Sequence, residues 1–354
     1  MQNYRIALIP GDGVGQEVIP AALRVLNRAA EITGTFSLDT HEFPWSCEFY
    51  LRTGAMMDPD GIKKLADVDA IFLGAVGYPN VPDHISLWGL LLPIRQNFDQ
   101  YVNLRPIKLL PGVKGPLRDK SPADIDMLFL HENTEGEYCG HGGRLYRGTP
   151  DEVATQTAVF TRKGTERIVR YAFERARERR KMLASCTKSN ALNYSMVFWD
   201  EVVADVAHDY PDVKVTSYLV DALSARMILH PDTLDVVVAS NLFGDILTDL
   251  GGALQGSLGL PASGNINPPR RYPSMFEPVH GSAPDISGRG IANPLATIWA
   301  GIMMLEQLGE PEAAGLVMAA LERVVAEGKT LTTDLGGSST TGQVADAVAA
   351  ALAV

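Results

Sequence analysis

Apolar positions along the chain fall into short unbroken runs, separated by longer segments whose apolar residues recur at helical spacing. Arg5–Ile9 is such a run and predicts a strand; Gly11 to Gly15 predicts a turn, and about Glu17 to Glu31 a helix. Ala70–Leu73, Met127–Leu130, Lys181–Cys186, Val213–Val220 and Leu234–Ser240 predict further strands. Between them, Arg162–Arg180 and Ser195–His208 carry amphipathic patterns, and residues 292–352 are Ala-rich and helix-like. This alternation predicts an α/β protein with a partly parallel sheet. Glu137–Val159 breaks the rhythm: glycines around Arg144, then the alternating stretch EVATQTAVF. A segment that long predicts an extended hairpin that pairs with another subunit, not a loop.

Composition narrows the class. A chain of 354 residues with 46% apolar and 21% charged residues has room for two domains. A net charge of −11 argues against nucleic acid and anionic membranes as partners. Cys47, Cys139 and Cys186 stand apart, with no C-x-x-C pair, so neither a disulfide framework nor a thiolate metal site is expected. The start MQNYRIALIPGDG lacks a basic stretch followed by an apolar one, and Leu295–Leu305 is too short to span a bilayer and reads as a buried helix. A reducing cytoplasm is the expected compartment.

Polar residues gather where apolar runs end. His131-Glu-Asn-Thr-Glu follows one strand, Thr187-Lys188-Ser-Asn a second, Asp221 a third and Asn241 to Asp249 a fourth. That edge of an open α/β sheet is where ligands bind. Asp245 and Asp249 share a helix face, where two carboxylates repel unless a cation such as Mg²⁺ or Mn²⁺ sits between them. The plain alternative is an acidic helix start with Asp249 solvated. Asp221 and Lys188 reach the same edge and are placed beside that pair. Arg95 and Arg105 flank a polar-aromatic stretch and suit carboxylates, although surface ion pairs explain them equally well. The Gly11–Gly15 turn lacks the third glycine of the dinucleotide fingerprint, since position 16 is Gln16. The stretch from Phe276 to Pro294 is too rich in Gly and Pro for regular structure; its backbone N–H groups suit a cofactor's phosphates, or it is a surface loop. The basic run Arg175 to Lys181 reads as a solvated helix face.

Several spaced motifs together carry a resemblance: NLRP at 103–106, ENTEGEY at 132–138, TKSN at 187–190, ASNLFGDILTDLGG at 239–252 and EPVHGSAPDISGRGIANP at 277–294. The chain resembles the β-decarboxylating hydroxyacid dehydrogenases, the isopropylmalate and isocitrate dehydrogenase type, along nearly its whole length. VPDHISLWG at 81–89 points to the branch acting on tartrate and D-malate. The resemblance implies a two-domain fold with a central mixed sheet, not a Rossmann fold. Residues 1–101 and 257–354 would form the NAD-binding domain, and 102–256 the dimerisation and metal/substrate domain, with an arm near 137–159. It implies Tyr138 and Lys188 as catalytic residues, and Asp221, Asp245 and Asp249 as ligands of Mg²⁺ or Mn²⁺. Arg95 and Arg105 would bind substrate, with His131 in a slot where the family usually has Arg. NAD would lie along Glu277, His280, Gly281, Ser282, Ala283, Asp285 and Asn293. A monovalent cation such as K⁺ belongs to the same expectation. So does a homodimer in which the second subunit contributes Lys188 and Asp221.

The expected reaction is NAD-dependent oxidation of a small 2-hydroxy dicarboxylic acid, D-malate or tartrate, followed by metal-assisted β-decarboxylation. Isopropylmalate, isocitrate or homoisocitrate as substrate, an inactive nucleotide-binding homologue, and a metal-dependent hydrolase are the alternatives. Two details are expected besides. Trp88 fills space beside the C3 substituent, and His131 grips a substrate carboxylate as a protonated imidazole whose pKa the substrate raises.

Overall fold

The computed structural model describes residues 1–352. Its strands are β1 (Gln2–Gly11), β2 (Phe36–Glu42), β3 (Ala70–Ala75), β4 (Val102–Lys108), β5 (Asp126–Glu132), β6 (Gly136–Leu145), β7 (Val153–Val159), β8 (Met182–Thr187), β9 (Lys214–Leu219), β10 (Val236–Ala239), β11 (Ala262–Ile266) and β12 (Ser274–Pro278). Ten of them form one sheet in the order β2-β1-β3-β12-β11-β4-β5-β10-β8-β9. Both flanks are parallel, whereas the middle pairs β12–β11, β11–β4 and β4–β5 are antiparallel.

The parallel strands are the ones whose runs are apolar throughout. Ile6, Ala7, Leu8 and Ile9 of β1 are all buried, as are Val236 to Ala239 of β10. Helices cover both faces of such strands, so no alternation survives in their sequence. The helix Gly15–Thr33 follows β1 and ends at Gly34, whose left-handed φ of 66° returns its N–H to the Ala30 carbonyl. At the turn between them, a Cβ on Gly13 would stand 2.0 Å from the Ser282 carbonyl oxygen, so only glycine lets the 280s loop close on β1. Helices Leu295–Leu308, Pro311–Glu327 and Thr341–Ala351 pack with it over one face. Leu295 through Leu305 is buried all round, and no helix among the described residues is long and apolar enough to cross a membrane.

Four strands went unread in the sequence, namely β2, β4, β11 and β12. The helix expected over Arg162–Arg180 ends at Arg177, and its basic tail is not simply solvated. Arg179 donates to the Asp235 carboxylate at 2.8 Å, and the Arg180 backbone N–H to its other oxygen at 2.8 Å. Asp235 is 1% exposed, and a buried carboxylate demands such partners, which pulls the chain out of the helix. The segment after Gly136 is an antiparallel ribbon of β6 and β7, with its register broken between Gly136 and His141 and its outer two-thirds exposed.

Candidate active site

In a strand, alternate side chains share a face. The antiparallel middle of the sheet uses this to set polar groups in one layer. Asn103 stands opposite both Asn265 and His131, and Ser263 opposite Glu277; Arg105 lies two residues beyond Asn103. The intervening residues Leu104, Leu130 and Phe276 pack into the apolar core behind. A cavity of about 460 Å³ opens along this layer, with Leu87, Leu91, Arg95, Arg105, Glu277 and His280 among its walls.

Arg105 is the hub of one end. Its Nε donates to Asn103 Oδ1 at 3.0 Å, one terminal nitrogen to Thr248 Oγ1, and the other to Asp245 Oδ1 at 3.1 Å. The helix Asn241–Leu254 brings Asp245, Thr248 and Asp249 to it, with Asp249 Oδ1 3.9 Å from the guanidinium. Tyr138, from the base of the ribbon, donates its hydroxyl to Asp245 Oδ2 at 3.1 Å. Burial, together with the Asp245 charge, pushes the phenol up to about 12. Burial tends to raise the Asp245 carboxyl, but Arg105 and the Tyr138 hydroxyl outweigh it and hold it below the usual carboxylate value. Asp249 goes the other way, raised by burial against the weaker pull of Arg105. Arg95, at the other end, donates to Glu277 Oε1 at 2.9 Å, while its buried Nε has no partner among the described residues.

Lys188 and Asp221 stand apart from this cluster. Lys188 Nζ donates to Asp221 Oδ1 at 2.6 Å, and that bond holds the Asp221 carboxyl below its ordinary value. Among the described residues, no three His, Cys, Asp or Glu side chains stand close enough to hold a metal. Within one chain Asp221 therefore does not join Asp245 and Asp249, which corrects what strand ends alone suggested. β8 and β10 separate the β9 end from β5, and Asp221 opens the helix beyond β9 with its side chain largely in solvent.

His131 also departs from expectation. It is 1% exposed, its Cβ lies against the Cα of Gly244, and its Nδ1 pairs with the Glu132 carbonyl at 2.7 Å. Burial, then Arg105, pulls its pKa down to about 3. A neutral ring with its proton on Nδ1 presents a lone pair at Nε2, so it does not grip a carboxylate. Trp88 does not line the cavity. It is 42% exposed and lies over Gly140 of the ribbon, leaving Leu87 and Leu91 to bound the space beside Arg95.

The 280s loop borders this cavity and a second hollow of about 520 Å³, which share Val76, Asp83 and Gly281 as a wall. Gly281 is exposed with open space where a Cβ would go, and Ser282 is anchored by Val14 N–H to its carbonyl at 2.9 Å. Ala283 adopts a left-handed φ of 41°, and Asp285 is exposed. His280 pairs through Nδ1 with the Gly281 carbonyl at 2.9 Å and leaves a buried Nε2 unpartnered. Asn293 is 7% exposed and donates to Asp334 at 2.9 Å. Glu277 lies on β12 beneath the loop and serves Arg95. Sequence reasoning missed Asn103, Asn265, Ser263 and Thr248; the available signals were strand spacing from Arg105 and helical spacing from Asp245.

Comparisons with known proteins bear on the family and the fold. Residues 5–348 match the family model for isocitrate/isopropylmalate dehydrogenase. A probable tartrate dehydrogenase/decarboxylase of Agrobacterium vitis is 55% identical, over 100% of this chain and 99% of that one. The decarboxylating D-malate dehydrogenase of Escherichia coli (strain K12) is 54% identical over 98% of each. The solved isocitrate dehydrogenase of Methylococcus capsulatus superposes with a TM-score of 0.88 at 35% identity, covering 99% of both chains. The large mixed sheet is that fold's. The chain belongs to the isocitrate/isopropylmalate dehydrogenase family.

Proposed function

We propose that this decarboxylating dehydrogenase oxidises a small 2-hydroxy dicarboxylate, D-malate or tartrate, with NAD, and releases the β-carboxyl as CO₂ with the help of Mg²⁺ or Mn²⁺. One observation carries the reading: Arg95 and Arg105 line a single cavity, and Arg105 gathers Asp245, which Tyr138 also contacts, and Asp249 beside it. The names of the relatives point to the same substrates.

The donor set suits a hard cation, with two carboxylates one helical turn apart and Asp249 short of counter-charge. Asp221 of a second copy would complete it, and Lys188 would arrive with it. The unpartnered His280 Nε2, the open Gly281 and the adjoining hollows suit a dinucleotide along residues 277–293. When bound, the cation supplies Lewis acidity and NAD the hydride acceptor. The chain does the rest. Arg95 Nε and Arg105 hold the two carboxylates. Lys188 Nζ takes the proton of the C2 hydroxyl, and Tyr138, which keeps its proton far into the alkaline range, delivers one to C3 as CO₂ leaves. Leu87 and Leu91 leave room for H or OH at C3 and crowd a larger group.

In this reading residues 1–101 with 257–354 form one domain and 102–256 the other. Two smaller apolar clusters support the division, one built from Ile107 to Leu254 and one from Ala7 to Phe98 with Met275. The test is NADH absorbance together with released CO₂ for D-malate, tartrate, isopropylmalate and isocitrate, at fixed NAD⁺ and Mn²⁺. NADH and CO₂ in equal amounts from D-malate or tartrate are expected. Turnover of isopropylmalate or isocitrate alone would reassign the substrate. No NADH with any of them would favour an inactive homologue.

A further inference from the structure

The two arginines are joined by a continuous chain of buried polar side chains, of which Asn265, Asn103 and Ser263 have no expected role. Arg95 donates to Glu277 Oε1 at 2.9 Å, and Asn265 Nδ2 donates to that same oxygen at 2.8 Å. Asn265 Oδ1 accepts from Asn103 Nδ2 and from Asn133 Nδ2, each at 2.9 Å. Asn103 Oδ1 then accepts from Arg105 Nε at 3.0 Å and Ser263 Oγ at 3.2 Å. Every member is at most 8% exposed, and both Asn103 and Asn265 are 0% exposed. The chain crosses β12, β11 and β4, the strands that run antiparallel at the centre of the sheet.

Asn265 is the member that no other residue type replaces. A carboxamide has two donor hydrogens and two acceptor lone pairs. Here Nδ2 serves Glu277 and, at 3.4 Å, the Met275 carbonyl, while Oδ1 serves two asparagines. Aspartate cannot donate to Glu277, leucine can do neither, and glutamine is too long for a site with no exposed surface. Buried networks of this kind stabilise little against an apolar core, yet they fix geometry. A dicarboxylate needs two guanidinium groups at one separation, and small misplacement of a clamp is costly.

We propose that Asn265 is a positioning residue that fixes Arg95 and Arg105 relative to one another for recognition of a dicarboxylate. The inference rests on the reading that these arginines bind the substrate. Asn265→Leu removes all four bonds while keeping the same heavy-atom branching, at the cost of a bulkier side chain. Asn265→Ser leaves a hydroxyl that reaches one partner at a time and is the milder change for folding. Thermal melts of both variants establish that the assayed protein is folded, and KM and kcat are measured with D-malate and with NAD⁺ in turn. The expected result is a KM for D-malate raised about tenfold or more, from weakened hydrogen bonds to charged groups, with KM for NAD⁺ changed less than about twofold. In an Arg105→Ala background the penalty of Asn265→Ser on the D-malate KM should shrink, because the group it positions is gone. A D-malate KM that rises no more than the NAD⁺ KM overturns the proposal, and so does an undiminished penalty in the Arg105→Ala background. An unchanged D-malate KM in Arg105→Ala itself removes the arginine reading and this inference with it.

Discussion

Tyr138→Phe is the change that separates the two halves of the proposed reaction. It deletes one oxygen and leaves a half-buried ring of the same shape. Two losses follow. Asp245 gives up a hydrogen bond of 3.1 Å that helps hold its carboxyl ionised. Without that bond the Asp245 pKa should rise. Asp245 lies below the ordinary carboxylate value to begin with. The second loss is the proton donor. Positioned acids contribute about 10²–10⁴-fold, so kcat for complete turnover should fall by that factor. Oxidation at C2 does not need the phenol, so the variant should release part of its product as the 2-oxo dicarboxylate, with more NADH formed than CO₂. The assay pairs absorbance of NADH with CO₂ capture at pH 7 to 9. Because burial and Asp245 hold the phenol at about 12, the wild type should show no alkaline loss of activity from this group below pH about 10. A kcat within threefold of wild type, or NADH and CO₂ still equal, would refute the assignment of Tyr138 as proton donor.

Three further outcomes are expected. Excess chelator should abolish turnover and Mn²⁺ or Mg²⁺ should restore it, while Asp245→Asn should weaken Mn²⁺ binding in a direct titration; full activity in chelator would exclude the carboxylate site. Glu132 is buried and its carboxyl is pushed by burial from 4.5 to about 7, despite hydrogen bonds from Thr134 and Glu135. The folded pKa then lies above the unfolded one, so the stabilising contribution is full below pH about 4.5 and is lost as pH rises to about 7. Its size is about 3 kcal/mol, and the melting temperature of Glu132→Gln should fall less than wild type across that window; parallel curves would refute the burial argument. Asp285 lies exposed on the 280s loop, so Asp285→Lys should raise NADP⁺ use relative to NAD⁺ in kcat/KM; an unchanged ratio would place the determinant elsewhere.

The flanks of the sheet were readable because burial on both faces leaves unbroken apolar runs, as in Ile6–Ile9 and Val236–Ala239. The middle was not, for the same physics reversed. β11 sets Ala262, Ser263, Gly264 and Asn265 before a single Ile266, and β12 has Met275 and Phe276 side by side between Ser274 and the Glu277–Pro278 pair, so neither propensity nor alternation marks them as strands. β2 is an edge strand in which only Phe36 is buried, which leaves a weak pattern. Arg105, Tyr138 and Asp245 could be named in the sequence, but their meeting depends on the register of β4 against β5 and on the helix behind them. His131 shows the limit most plainly. Its identity suggested a titrating group, and only the contact with Gly244 and the Glu132 carbonyl reveals that it is sealed in.

The ribbon formed by β6 and β7 bears on the life of a lone chain. Its residues from Gly140 to Asp151 are all exposed, and it includes Gly140, Gly142, Gly143 and Gly148. Two strands alone have no core, and glycine lowers the cost of their opening. A newly made chain therefore carries a segment that proteases can enter and that other chains can pair with along its free edges. Tyr138 sits at its root, so a single cut there would separate the phenol from its support without unfolding the sheet. A second copy seated on the ribbon would close the cleavage site and the sticky edges together. Survival of the chain in a cell would then depend on its concentration, and unassembled copies would be removed before they could accumulate.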